Sequence, residues 1–131
     1  MISRQDLRKI ARARLRDAEV LLANGRYDSA VYLCGYAIEL MLKARICQTV
    51  NWTEFPETSK EFQPFQSFRT HNLVILLRLS GREQTVTNSY LREWSVVATW
   101  DPEGRYKQVG TAAKARAVQM IAATRILMGL L

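Results

Sequence analysis

Apolar positions recur with the period of a helix along most of the chain. Leu7, Ile10, Ala11, Ala18, Leu21 and Leu22 fall near three- and four-residue spacing, and Ser3 followed by Asp6 resembles a capping box ahead of them. In "ANGRY", Gly25 suits the left-handed residue that ends a helix. A second helix is predicted from about Tyr27 to about Val50. The connection that follows, "NWTEFPETSKEFQPFQSFR", runs for about nineteen residues and holds all four phenylalanines, Trp52 and two of the three prolines. Loops of that length are unusual in compact domains. Phe55, Phe62, Phe65 and Phe68 are therefore expected to be mostly buried, since that many exposed rings would make a sticky patch.

"THNLVILLRLSG" predicts a short third helix, capped by Thr70 and closed by Gly81. "EQTVTNSYLREWSVVATW" predicts a fourth, with Val86, Tyr90, Trp94 and Val97 on one side. "DPEG" is a turn, because Pro102 fixes a backbone dihedral there. The last helix should start near Thr111 and run to the end. Its stripe of Ala113, Ala117, Met120, Ile121, Leu127, Met128 and Leu131 is interrupted by Thr124. No strand-like alternation stands out. The pattern predicts an all-α fold, an antiparallel up-and-down bundle of four to five helices in a single domain spanning 1–131.

The second helix carries more than a core stripe. Val31, Cys34, Ile38, Met41 and Leu42 form one apolar face, and Leu33, Ala37, Leu40, Ala44 and Cys47 form another roughly 140° away. Two faces need two things to pack against: the bundle core, and either a further layer or a second subunit. Tyr32, Tyr36, Glu39 and Lys43 share the gap between them, with Gly35 beside them leaving room for a close neighbour. Glu four residues before Lys is the favourable order for a helical ion pair. The two charges thus occupy a narrow polar seam.

Charge adds a second theme. Lys and Arg total 19 against 12 Asp and Glu, a net charge of +7. Arg4, Arg8, Lys9, Arg12, Arg14 and Arg16 meet only Asp6 within the first sixteen residues. Such a front attracts phosphates or an acidic partner, or is a solvated helix surface. No aromatic is interleaved there to stack on bases. Nothing reads as a signal peptide or a membrane span, so a soluble, cytoplasmic protein is expected. Cys34 and Cys47 lie about 20 Å apart along one helix, too far for a disulfide, and are expected to be reduced core thiols.

The chemistry-bearing residues are few. One histidine, no CxxC and no carboxylate cluster at ligand spacing give no metal site, and the scattered glycines make no phosphate loop. No cofactor is implied. His71 follows Thr70 at a predicted helix start, where exposed N–H groups favour anions and a neutral imidazole; a capping or packing role fits it as well. In "WDPEGRY", Arg105 is placed to return over the bundle end and meet Glu39, with Tyr106 packing beneath it. A purely structural Arg–Glu tie fits that turn equally.

"LLANGRYDSAVYLCGYAIELMLKA", "RTHNLVILL" and "WDPEGRY", taken in this order, resemble the prokaryotic members of the HEPN family, named for nucleotide binding in higher eukaryotes and prokaryotes. The resemblance extends over nearly the whole chain. It implies an all-α bundle, frequent dimers through paired long helices, and a separate nucleotidyltransferase as partner. Many members belong to toxin–antitoxin or antiviral modules, and some are metal-independent ribonucleases. Those ribonucleases carry an Arg, four to six residues, then a His on a late helix. Here the fourth helix has Arg92 but no histidine, and Pro64, Phe65 and Gln66 stand where that spacing would place an arginine before His71.

The expectation is therefore a homodimeric HEPN-like binding module for a nucleotide, an RNA or a nucleotidyltransferase partner. Its site would comprise Tyr36, Glu39, Lys43, His71, Arg105 and Tyr106, with Glu39 orienting Lys43 and Arg105. Two alternatives stand beside it: an atypical metal-independent endoribonuclease using His71 and Arg105 or Lys43, and a structural scaffold whose seam is merely satisfied.

Overall fold

The computed structural model describes residues 1–104 and 106–131. The fold is all-α apart from one minimal ladder. Helix α1 (Arg4–Ala23) is capped by Ser3, whose Oγ accepts from the Asp6 amide at 3.0 Å. The Asp6 carboxylate accepts in turn from the Ser3 hydroxyl at 2.7 Å, so the predicted cap forms with a side-chain variation. Gly25, at φ 73°, takes the left-handed conformation that a side chain resists, and the chain reverses into α2 (Tyr27–Thr49). Asn51 reverses it again at φ 60°, a role its short amide tolerates.

The long connection is not a loop. Strand β2 (Glu54–Phe55) pairs antiparallel with β1 (Ile2–Ser3), Ile2 opposite Phe55, which the sequence pattern did not reveal because each strand is only two residues long. A short helix α3 (Ser59–Phe62) follows, with a full capping box between Thr58 and Glu61, and then a 3₁₀ turn (Gln63–Phe68). Trp52 holds the segment together. Its ring lies 4.9 Å from Phe65 and 5.0 Å from Phe68, and Phe55 packs on Phe62 at 5.8 Å. Phe55 and Phe62 are buried as expected and Phe68 is half-buried; Phe65, although it packs on Trp52, is exposed.

Helix α4 (Leu73–Ser80) is capped by Asn72 rather than Thr70. The Asn72 side chain accepts from Val74 and Ile75, and the Thr70 hydroxyl accepts from the Asn72 amide one step earlier. The predicted fourth helix is present but breaks at Tyr90 into α5 (Glu83–Ser89) and α6 (Leu91–Val97). A 3₁₀ turn (Pro102–Tyr106) follows, and α7 (Lys114–Leu130) begins three residues later than the pattern suggested.

Helix α2 is the axis of the bundle. Helices α1, α4 and α7 all pack on it, and α6 packs on α7. Of its two apolar faces only Val31 and Leu33 remain half-exposed; the rest is buried. The second layer that those two faces require comes from the same chain. Each fully buried side chain such as Ile38, Leu42 or Ile46 contributes roughly 1.5–3 kcal/mol.

Candidate functional site

The seam predicted on α2 faces the aromatic connection and the start of α4. Glu39 is 1% exposed, an exceptional position for a carboxylate. Its Oε1 accepts from Lys43 Nζ at 2.7 Å and contacts His71 Nδ1, also at 2.7 Å. The helical period alone brings Lys43 to Glu39. His71 arrives from the far side because the Thr70–Asn72 turn holds it just ahead of α4.

Lys43 is 15% exposed at its side chain. Its ammonium stands 5.6 Å from the centre of the Phe55 ring, so β2 supplies it with an aromatic floor. His71 is 68% exposed at its side chain, reaching inward only with Nδ1. A carboxylate facing that nitrogen fixes the tautomer: Nδ1–H donates to Glu39, and in the neutral ring Nε2 keeps its lone pair. Tyr36 stands one turn before Glu39, and burial, then the Glu39 charge, pushes its phenol above the usual range.

The seam opens on a cavity of about 320 Å³. Tyr36, Lys43 and His71 form part of its wall with Arg69, Glu57 and Phe55. Arg69 was missed, and no periodicity marks it; it reaches the site because the 3₁₀ turn delivers it next to His71. At the start of α4, behind His71, Asn72 occupies the amides of Val74 and Ile75.

The "WDPEGRY" turn packs against the middle of α2. Trp100 fills the space beside Gly35 and donates from Nε1 to the Tyr32 carbonyl at 3.1 Å. Tyr106 is 72% exposed and is not among the residues that line the cavity beside Glu39. The expected Arg105–Glu39 pairing lies outside the described residues. Among the described residues the partners of Glu39 are Lys43 and His71. No three of His, Cys, Asp and Glu are grouped to hold a metal ion among the described residues, and no described helix is long and apolar enough to cross a membrane.

A family model described as HEPN domain matches residues 4–59. Over that segment the chain is similar to HEPN domains. The match spans α1, α2 and β2, and contains Tyr36, Glu39 and Lys43. It ends before His71, so the HEPN segment supplies the carboxylate and the ammonium while the rest of the chain supplies the imidazole. A helical module of nucleotide- or RNA-related type is the coarse reading that this supports. No curated protein and no solved structure matches the chain.

Proposed function

We propose that the chain is a HEPN binding module whose α2 seam takes the phosphate of a nucleotide or of an RNA end. One observation carries the reading: a buried carboxylate holds an ammonium and an imidazole side by side on the wall of a cavity. Lys43 and Arg69 bring two positive charges to that wall; Glu39 engages Lys43, and Glu57 on the same wall is tied to the N-terminal ammonium. Lys43 and Arg69 are the cationic donors, Tyr36 and Phe55 the aromatic surfaces, and the cavity volume falls in the range of small-molecule sites. A cytoplasmic setting, a homodimer, a nucleotidyltransferase partner and a toxin–antitoxin or defence context belong to the same proposal and rest on the family likeness. Both apolar faces of α2 are already covered within the chain, so they no longer argue for the dimer.

Calorimetric titration with nucleoside mono- and triphosphates in EDTA tests the site. Binding is expected, and Lys43→Ala should weaken it about tenfold or more, the scale of a charge-assisted hydrogen bond to phosphate. Binding indifferent to Lys43→Ala would sink the proposal.

A second reading is favoured by the His71 geometry. A carboxylate-oriented imidazole with an outward Nε2 is the arrangement of a general base. In RNA cleavage it would take the proton of a 2′-hydroxyl, whose oxygen then attacks phosphorus and displaces the 5′-oxygen. The late-helix Arg-to-His spacing of the family's ribonucleases is missing, so cleavage is expected to be absent or very weak. Robust cleavage of single-stranded RNA in EDTA, abolished by His71→Ala, would put the enzyme ahead of the binding module.

A further inference from the structure

The opposite flank of α2 carries an arginine cluster that the seam does not use. Arg45 lies two residues beyond Lys43, about 200° around the helix, and so belongs to a different surface. Arg45 and Arg8 of α1 both donate to one atom, Gln48 Oε1, at 3.4 and 3.2 Å. Arg8 also reaches the main-chain oxygen of Leu131 at 3.3 Å, and Arg82 reaches that of Leu130 at 3.4 Å. Two guanidinium groups, those of Arg8 and Arg82, thus reach the end of α7, and Arg45 joins Arg8 through Gln48, with Arg4 and Arg12 one helical turn to either side of Arg8.

None of these five arginines forms an ion pair with a carboxylate side chain among the described residues. The Nε atoms of Arg45 and Arg82 are buried without any hydrogen-bond partner. Burial pulls Arg8 below the usual arginine range, reinforced by Arg45, Arg4 and Arg12, and burial followed by Arg82 does the same to Arg45. Capping the last turn of α7 explains one arginine, since a single guanidinium serves its exposed carbonyls. It does not explain a stripe of like charges. Such a stripe opposes folding unless something anionic offsets it.

We propose that Arg4, Arg8, Arg12 and Arg45 form a track for the phosphodiester backbone of a polynucleotide, with Arg82 buttressing its inner end. A repeated anion fits better than a single one, because the cations repeat along α1 at one per turn, over about 12 Å from Arg4 to Arg12. An acidic protein fits less well: the stripe has no aromatic or apolar anchor of the kind that centres protein interfaces. Recognition through arginine and phosphate alone is independent of base sequence and strongly dependent on salt.

Fluorescence anisotropy of a labelled oligouridylate of about twelve nucleotides, titrated with the full chain over a range of sodium chloride concentrations, tests the track. Each phosphate neutralised contributes roughly 0.7 to the slope of log K against log salt for a single strand. Arg8→Gln/Arg45→Gln should lower the magnitude of that slope by about 1.4 and weaken binding at least tenfold at low salt. Arg12→Gln should lower it by about 0.7; Arg12 is exposed and makes no described hydrogen bond, so its fold is not in question. Mononucleotide binding at the Glu39 seam should survive all three substitutions, which separates failure of the track from failure of the seam. Unchanged slope and affinity in Arg12→Gln and in a folded double variant would overturn the proposal. So would polyglutamate competing as well as the oligonucleotide, which would make the surface a site for acidic proteins.

Discussion

The indole of Trp100 lies against Gly35, so close that a methyl group at that position would stand 2.1 Å from the ring carbons. No other residue type fits. The contact fastens the 3₁₀ turn after α6 to the middle of α2, one turn from the seam, and the Trp100 Nε1–H to Tyr32 bond fixes its orientation. Gly35→Ala should therefore cost about 1–3 kcal/mol, the scale of overpacking, and lower the melting temperature by several degrees. Thermal unfolding followed by circular dichroism checks it. A variant as stable as the parent would mean that the ring is not seated there.

That contact also marks how far the sequence can be read. The gap beside Tyr36 on α2 was legible, since a glycine in a helix of large residues leaves room for a close neighbour. Its occupant was not, because Trp100 sits sixty-five residues away and periodicity carries no information between elements. The Glu39–Lys43 pair was legible from the helical period, whereas His71 as the second partner depends on how the aromatic connection folds back. The β1–β2 ladder left no pattern, because two-residue strands show no alternation. The break at Tyr90 was hidden for the opposite reason: apolar spacing continues across it from Val86 to Trp94.

Asp28 provides a pH test of the same end of the bundle. Its carboxylate accepts from the backbone N–H of Gly110 at 2.6 Å and of Ala112 at 2.7 Å, tying the segment before α7 to the start of α2. Those two bonds hold the acid below the usual carboxylate range. The sign follows: a lowered folded-state pKa gives stability that is present above about pH 4 and is lost as pH falls through the folded value. The melting temperature of Asp28→Asn should lie below that of the parent near neutral pH, and the gap should close in acid. A gap independent of pH would show that the charge is not what holds the clasp.

Both cysteines are free and buried, and burial pushes each thiol up to about 11. At neutral pH almost no thiolate is present at either site. Iodoacetamide should label the native chain far more slowly than the urea-unfolded chain. Equal rates would place one thiol at the surface and contradict its seat in the core.

Glu39 itself decides whether the seam serves the fold or a ligand. Glu39→Gln keeps the shape but leaves Lys43 largely buried beside a neutral amide, which should cost about 3 kcal/mol. His71→Ala should cost little, because most of that ring is in water. Replacing both members of the helical pair, Glu39→Gln with Lys43→Met, removes the unpaired charge, and such neutral replacements of buried ion pairs are often harmless or stabilising. The double variant should therefore regain most of the stability lost in the single one, yet bind no nucleotide. Denaturant unfolding and calorimetric titration, run on all four proteins, read the two properties separately. A double variant that stayed unstable would make the pair a structural tie. Stability and binding unchanged in every variant would make the seam ordinary solvated surface, and the phosphate site would then have to be sought elsewhere on the chain.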